Sequence, residues 1–199
     1  TPMNTVLVLL GGSTGGPAAV KAFIDALPND ALPVCFVLGN HITQEFLPSL
    51  EAMLNEHPFF SAEIIDGNKQ ILPGKLYIAP IDRKISFNPE GRIYLSEQSW
   101  DAPYAPNINQ MFESSLELPN VQKLAIVFSG MDDDGAASAD ILDENDVEIW
   151  CQTLETCVQA SMPLNMMRTG KVIYKDSPEG LARQLCDFLE SHSSLDQYA

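Results

Sequence analysis

Three short polar segments carry the residue types that acyl-transfer chemistry uses, and each segment follows an apolar run. Gly11 to Gly15 reads G-x-S-x-G, with Ser13 at its centre. His41 comes just after a second apolar run, and Asp132 to Asp134 comes just after a third. Serine, histidine and aspartate serve as nucleophile, general base and orienting acid in hydrolytic triads. The three segments therefore suggest a serine hydrolase, provided that the fold brings them together.

The glycine-rich segment around Ser13 is open to three interpretations. A dinucleotide-binding turn reads G-x-G-x-x-G, but Ser13 stands where its second glycine would be, and no phosphate-loop G-K-[ST] ending follows. The pattern G-x-S-x-G instead presents a serine nucleophile on a sharp strand-to-helix turn. The third interpretation is a glycine-rich turn with an ordinary surface serine, because short Gly/Ser patterns are common. A base and an acid elsewhere in the chain must decide between them.

The candidate base is selected by position among the three histidines of the chain. His57 lies in a polar turn and His192 near the C-terminus, so only His41 follows a strand-like run. A lone histidine there is more often structural, and three aspartates in a turn are usually solvated or bind a divalent cation. Ligands of open α/β sheets, however, bind outside the carboxyl ends of the strands. A serine, a histidine and an aspartate at one sheet edge are therefore more informative together than singly.

The elements that must position these residues alternate between strand and helix. Apolar runs predict strands at 6–10, 33–38, 62–65, 74–80, 124–128, 147–152 and 172–174, and periodic segments predict helices at 18–27, 43–56, 109–118, 136–144, 164–168 and 177–190. Residues 84–87 and 92–95 flank a turn and predict a hairpin. We expect an α/β fold: a doubly wound, mostly parallel sheet of six or seven strands, helices on both faces and one antiparallel hairpin. The whole chain, 1–199, is predicted to be one domain with a frayed tail at 191–199.

Composition excludes several function classes. The net charge of −16 and the pI of about 4.3 argue against nucleic acid and against an anionic membrane surface as partners. No apolar run approaches the roughly 18 residues of a membrane helix, and no signal peptide precedes the first strand. The four cysteines lack C-x-x-C spacing, which favours reduced thiols and a cytoplasmic protein.

Five motifs occur in an order that resembles the catalytic domain of the CheB-type protein-glutamate methylesterases of bacterial chemotaxis. They are Gly12-Ser13-Thr14-Gly15-Gly16, Asn40-His41, Leu76-Tyr77-Ile78-Ala79-Pro80, Gly130-Met131-Asp132-Asp133-Asp134-Gly135-Ala136 and Ser161-Met162-Pro163. The resemblance covers roughly residues 5 to 190. It implies hydrolysis of glutamyl methyl esters, and in some members deamidation of glutamines, on the cytoplasmic helices of methyl-accepting chemoreceptors.

The resemblance also implies roles for individual residues. Ser13 corresponds to the nucleophile, His41 to the base and Asp134 to the orienting acid. Met131 supplies a backbone N–H to the oxyanion, and Thr14 lies in the same pocket. No metal and no organic cofactor is implied. Family members usually carry an N-terminal receiver domain; this chain contains none, and its Thr-Pro start suggests a catalytic domain excised from a longer protein.

Several positions depart from the family pattern, among them Asn40 and Ile42 on either side of His41. Asp132 replaces the usual glycine after the methionine, Lys84 replaces a histidine, and Asn109 replaces an aspartate. A carboxylate at 132 that faces the cleft would raise the pKa of His41 beyond the effect of Asp134. The departures motivate a second hypothesis, a receptor-binding or regulatory module of a chemosensory array with weak or no esterase activity. A nucleotide-binding domain is disfavoured by Ser13 and by the lack of basic residues near the glycine turn.

Overall fold

The computed structural model describes residues 5–196, with side chains described as far as residue 192. Its strands are β1 (Val6–Gly12), β2 (Val34–Asn40), β3 (Ser61–Ile64), β4 (Lys69–Gln70), β5 (Lys75–Ile78), β6 (Ile85–Phe87), β7 (Arg92–Leu95), β8 (Lys123–Val127), β9 (Glu148–Gln152) and β10 (Val172–Asp176). Its α-helices are α1 (Gly16–Asp25), α2 (Leu47–Leu54), α3 (Ile108–Ser114), α4 (Ala139–Glu144), α5 (Ser161–Met167) and α6 (Pro178–Asp196). Short 3₁₀ helices cover Gln44–Phe46, Ser115–Glu117, Ala136–Ser138 and Leu154–Thr156.

Seven strands form one parallel sheet in the order β10-β9-β8-β1-β2-β5-β3, and β4-β7-β6 form a small antiparallel sheet. The predicted α/β fold, with its mostly parallel sheet and its hairpin, is confirmed. The hairpin belongs to the separate small sheet, where the two-residue strand β4 pairs with β7. Two residues are too few to give a periodic sequence signal, so β4 was not predicted.

The core is divided into two layers by the parallel sheet. Val8 and Leu10 of β1 face α1, α2 and α6, whereas Leu7 and Leu9 face the layer built from α3, α4, α5 and the small sheet. All seven residues of β1 are buried. Burial of both faces explains why this strand is continuously apolar rather than alternating.

The strand register brings the polar segments to one sheet edge. Gly12 of β1 pairs with Asn40 of β2, and Gly11 pairs with Val127 of β8. Strand β2, the next strand in the sequence, pairs with β1 on one side, and β8 pairs with β1 on the other side. The carboxyl end of β1 therefore lies beside a topological switch point, where open α/β sheets form their ligand-binding crevice.

Several helix boundaries differ from the predicted ones. The segment predicted as one helix from 43 to 56 begins as a 3₁₀ turn before α2, and the segment 109–118 is α3 followed by a 3₁₀ turn. Helix α6 runs to Asp196, beyond the end predicted near Glu190. Within this helix, His192 Nδ1 donates to the Phe188 carbonyl (2.7 Å), and the His192 ring packs on Phe188. The part of the tail prediction that falls on residues 197–199 lies outside the described residues.

Among the residues that the structure describes, no helix has both the length and the apolar composition needed to cross a membrane.

Candidate active site

Ser13 lies at the tip of a tight turn between β1 and α1. Its backbone N–H donates to the Ser129 carbonyl (2.9 Å), and its own carbonyl accepts from the N–H of Gly16 (2.8 Å). Gly15 has a φ of 79°, in the left-handed region that glycine tolerates, and a proline stands in the first turn of α1. The turn therefore holds Ser13 at the carboxyl edge of the sheet, where the residue is only 6% exposed.

Close backbone packing around Ser13 explains why its neighbours are glycines. A Cβ atom on Gly15 would lie 2.6 Å from the Cβ of Val158, and one on Gly130 would lie 2.9 Å from the Cβ of Ser13. The backbone at Gly130 thus packs directly against the serine side chain. Met131, the next residue, is thereby brought beside the candidate nucleophile.

Two backbone N–H groups lie close to Ser13: that of Thr14, the next residue in the chain, and that of Met131, which the packing of Gly130 brings near. Within residues 5–196, no hydrogen bond uses the backbone N–H of Thr14 or of Met131. The Thr14 carbonyl accepts from the Ser129 hydroxyl (2.7 Å), and the Met131 carbonyl accepts from the Ser161 hydroxyl (2.8 Å), so both peptide segments are held in place. Unused and preorganised N–H groups beside a nucleophile are the donors that an oxyanion needs.

His41 follows β2, and its imidazole lies between two carboxylates. Its backbone N–H donates to the Gly12 carbonyl (3.1 Å), which fixes the residue next to the Ser13 turn. Nε2 lies 2.8 Å from Oδ2 of Asp134, and Nδ1 lies 2.8 Å from Oδ2 of Asp132. A neutral imidazole carries one N–H, whereas the protonated ring donates from both nitrogens. This arrangement therefore favours imidazolium.

The pKa of His41 follows from these contacts. Burial of the ring lowers the pKa, but the hydrogen bonds and charges of Asp132 and Asp134 outweigh it and raise the pKa to about 9. For Asp132, burial raises the pKa, while the hydrogen bond with His41 and the backbone N–H of Asp134 bring it below its usual value. The two shifts have the signs expected for a stable imidazolium–carboxylate pair.

Asp134 is the more firmly held of the two acids. It is 1% exposed, and its carboxylate accepts from the backbone N–H of Ile108 (2.7 Å) and of Asn109 (3.0 Å). These residues begin α3, so the Asp134 carboxylate caps the N-terminus of that helix and also binds His41. The Asn109 side chain in turn accepts from the N–H of Ser138 (3.1 Å) and ties α3 to the segment after Asp134.

The structure thus brings His41 together with Asp134 and with Asp132, and it places Ser13 at the end of the neighbouring strand. Within the described range, no hydrogen bond joins the Ser13 hydroxyl to His41, because both ring nitrogens are bound to carboxylates. Lys84 forms no hydrogen bond or ion pair with these side chains; its backbone pairs with Ser96 and Gln98.

Tyr104 belongs to the site and was missed by sequence reasoning. Its ring stacks on the His41 imidazole, with centroids 5.2 Å apart and planes inclined at 12°. Its hydroxyl donates to Oδ1 of Asp133, and this bond, with burial, raises the pKa of Tyr104 to about 12. The available signal was an aromatic residue in the proline-containing loop 96–107, but nothing in that sequence indicates which group the ring covers.

The sequence is similar to those of one family of known proteins. A family model described as CheB methylesterase matches residues 8–185. The chain is 28% identical over 191 residues to a protein-glutamate methylesterase/protein-glutamine glutaminase of Geobacter metallireducens, covering 94% of this chain and 52% of that protein. A Bacillus subtilis protein of the same description is 31% identical over 170 residues, covering 83% of this chain and 47% of that protein.

The fold also matches a solved structure. The CheB methylesterase catalytic domain of Thermotoga maritima superposes with a TM-score of 0.85, covering 92% of this chain and 98% of that domain at 23% identity. The chain spans about half the length of the curated relatives it matches.

Proposed function

Since the chain belongs to the CheB methylesterase family, we propose that it is a serine hydrolase that cleaves glutamate methyl esters, and glutamine side-chain amides in a second activity, on protein helices. Ser13 is the nucleophile, His41 the general base and Asp134 the orienting acid. The observation that carries the proposal is the bond between His41 Nε2 and buried Asp134, next to the strand end that bears Ser13.

The reaction follows the usual course of serine hydrolases. His41 takes the proton of the Ser13 hydroxyl as Oγ attacks the ester carbonyl carbon, and the backbone N–H groups of Met131 and Thr14 stabilise the oxyanion. His41 then protonates the departing group, which is the methoxide oxygen that leaves as methanol, or in deamidation the amide nitrogen that leaves as ammonia. Water attacks the glutamyl ester on Ser13 with His41 again as base. Collapse releases the glutamate carboxylate and returns the proton to Ser13.

The proposed substrate is a methylated cytoplasmic helix of a chemoreceptor. Two exposed apolar side chains flank the Ser13 turn: Met131 is 64% exposed and Val158 is 71% exposed. They offer apolar contacts to a helix that presents its esterified glutamate to Ser13. Because the curated relatives are about twice as long as this chain, we also propose that the full-length protein carries a further domain, a receiver domain that regulates the site.

The test is methanol release from a methylated receptor fragment at pH 7 to 10. Ser13→Ala should lose three or more orders of magnitude in rate, since a triad acts as a unit. Ser49→Ala, a change at an exposed serine of α2, is the matched control and should retain the activity. Methanol release by the Ser13→Ala variant at the unaltered rate would overturn the proposal.

A second candidate function is favoured by one observation, the absence of a hydrogen bond between Ser13 and His41 in the described residues. On this interpretation the chain binds receptor helices without hydrolysing them. Receptor binding without methanol release between pH 6 and 10, with no gain in Asp132→Gly, supports it. Turnover of methylated receptor by the unaltered protein excludes it.

A further inference from the structure

Asp132 is a carboxylate that contacts His41 and that the proposed triad does not use. Its side chain is 24% exposed, and it occupies the ring nitrogen of His41 that Asp134 leaves available. Asp134 binds Nε2, so a serine–histidine–aspartate relay through the same ring must use Nδ1. Asp132 and Ser13 therefore compete for a single atom.

Asp132 is held in this position by the chain itself. Oδ1 accepts from the backbone N–H of Asp134 (3.0 Å), while Oδ2 faces His41 (2.8 Å). The bond spans two residues and closes a turn in which Asp132 and Asp134 point to the imidazole and Asp133 points to Tyr104. The contact with His41 is thus built into the turn.

The other groups that face His41 do not neutralise Asp132. They are Asp134 from the same turn and Tyr104 from the loop 96–107, whose hydroxyl is bound to Asp133. In the part of the chain with described side chains, no lysine or arginine forms an ion pair with any of the three aspartates. The positive charge that Asp132 pairs with is therefore that of His41 itself.

We propose that Asp132 is a positioning residue that holds His41 in its protonated form and keeps it from accepting the Ser13 proton until the Asp132 carboxylate withdraws. The inference rests on the proposed serine-hydrolase function, which it refines. It makes the site a hydrolase whose base is sequestered at neutral pH. Activity then rises with pH as His41 loses the proton that Asp132 stabilises.

The size of the effect follows from the titration of His41. With a pKa of about 9, the ring is neutral in roughly 1% of molecules at pH 7. Each unit by which the pKa falls increases that neutral fraction about tenfold in this range. Replacing Asp132 by asparagine removes the charge and retains the shape, and the amide can donate to a neutral Nδ1.

The experiment is an NMR titration of the His41 ring in the intact chain, with His41→Gln identifying the signal. Asp132→Asn and Asp132→Gly should lower the midpoint by about one unit or more. Asp133→Asn is the matched control, because it removes the same charge one residue away from a side chain that does not contact His41. Asp133→Asn should lower the His41 midpoint by less than about half of the shift that Asp132→Asn causes.

A second measurement follows Ser13 directly. The rate at which a fluorophosphonate probe labels Ser13 at pH 7 should increase about tenfold or more in Asp132→Asn, and the labelling profile should shift to lower pH. An unchanged midpoint in both Asp132 variants, or an equal fall in Asp133→Asn, overturns the proposal. If the midpoint falls while no variant labels Ser13, Asp132 holds His41 as stated and the serine-hydrolase proposal fails instead.

Discussion

Tyr104 lies face to face with His41, with the ring centroids 5.2 Å apart and the ring planes inclined at 12°. Because the Tyr104 hydroxyl is bound to Asp133, the stack links the loop 96–107 to the turn that carries Asp132 and Asp134. The imidazole is thus restrained at its two nitrogens by carboxylates and on one face by an aromatic ring. Such restraint fixes the direction in which the base can accept a proton.

Replacement of Tyr104 should separate the role of the ring from that of the hydroxyl. Tyr104→Phe keeps the stacking face and loses only the bond to Asp133, so labelling of Ser13 should stay within about threefold of the unaltered rate. Tyr104→Ala removes the ring that stacks on the imidazole and should slow labelling of Ser13 about tenfold or more. The comparison is made near pH 10, where His41 is mostly neutral. Equal losses in the two variants would show that the hydroxyl, not the ring, positions His41.

Asp134 and Asp132 should respond oppositely to the same substitution. Asp134→Asn removes the acceptor that orients His41, and the alkaline plateau of methanol release should fall by about three to four orders of magnitude. Asp132→Asn should leave that plateau unchanged or higher, because it removes a negative charge near the developing oxyanion. The measurement is the full pH–rate profile of both variants. Loss of the plateau in Asp132→Asn and not in Asp134→Asn would exchange the two roles.

Thermal unfolding provides the control for Asp134→Asn. An asparagine cannot accept all the hydrogen bonds that the carboxylate accepts from Ile108, Asn109 and His41. One unsatisfied buried donor costs about 1–3 kcal/mol. The variant should therefore unfold at a lower temperature, and rates are compared where both proteins are folded.

The sequence was sufficient for those parts of the site that depend on strand ends. A run of apolar residues followed by glycines predicted β1 and its turn, because a strand buried on both faces cannot alternate. Parallel pairing then required Ser13 and His41 to lie at neighbouring strand ends, as observed for Gly12 and Asn40. Length and periodicity predicted most helices but not the 3₁₀ turns at their ends, which depend on local packing.

The direction of each side chain in the aspartate run could not be obtained in the same way. The sequence of three consecutive aspartates does not indicate which of them faces the histidine. The directions follow from the turn closed between Asp132 Oδ1 and the N–H of Asp134, and from Tyr104, which binds Asp133 from a loop 29 residues earlier. Both contacts depend on the packing of the loop 96–107 over the sheet edge, which leaves no periodic trace in the sequence.

Stability should depend on pH through His41. A histidine whose pKa is raised from 6.5 to about 9 on folding stabilises the folded state fully below pH 6.5, and loses that contribution as the pH rises through 9. The shift corresponds to about 3 kcal/mol. The free energy of unfolding in urea should therefore fall between pH 6 and 10 by about this amount more in the unaltered protein than in His41→Gln. A constant difference across that range would contradict the raised pKa.

The last prediction concerns the packing beneath the Ser13 turn. A Cβ atom on Gly16 would overlap Oδ1 of Asn40, which is 1% exposed and has no hydrogen-bond partner for its side chain within residues 5–192. Gly16→Ala should therefore cost about 1–3 kcal/mol of unfolding free energy, as overpacking does. Gly67→Ala, at a position with open space around it, is the matched control and should be close to neutral.

Asn40→Ala removes the side chain that a Cβ atom on Gly16 would overlap. The double variant Gly16→Ala/Asn40→Ala should therefore lose less unfolding free energy than the sum of the losses in the two single variants. A coupling of about 1 kcal/mol or more is expected for side chains that share one site. The labelling rate of Ser13 should follow the same pattern, falling in Gly16→Ala and recovering in the double variant, because the backbone N–H of Gly16 donates to the Ser13 carbonyl. Strictly additive free energies would mean that Asn40 does not restrict the turn and that the glycine is retained for another reason.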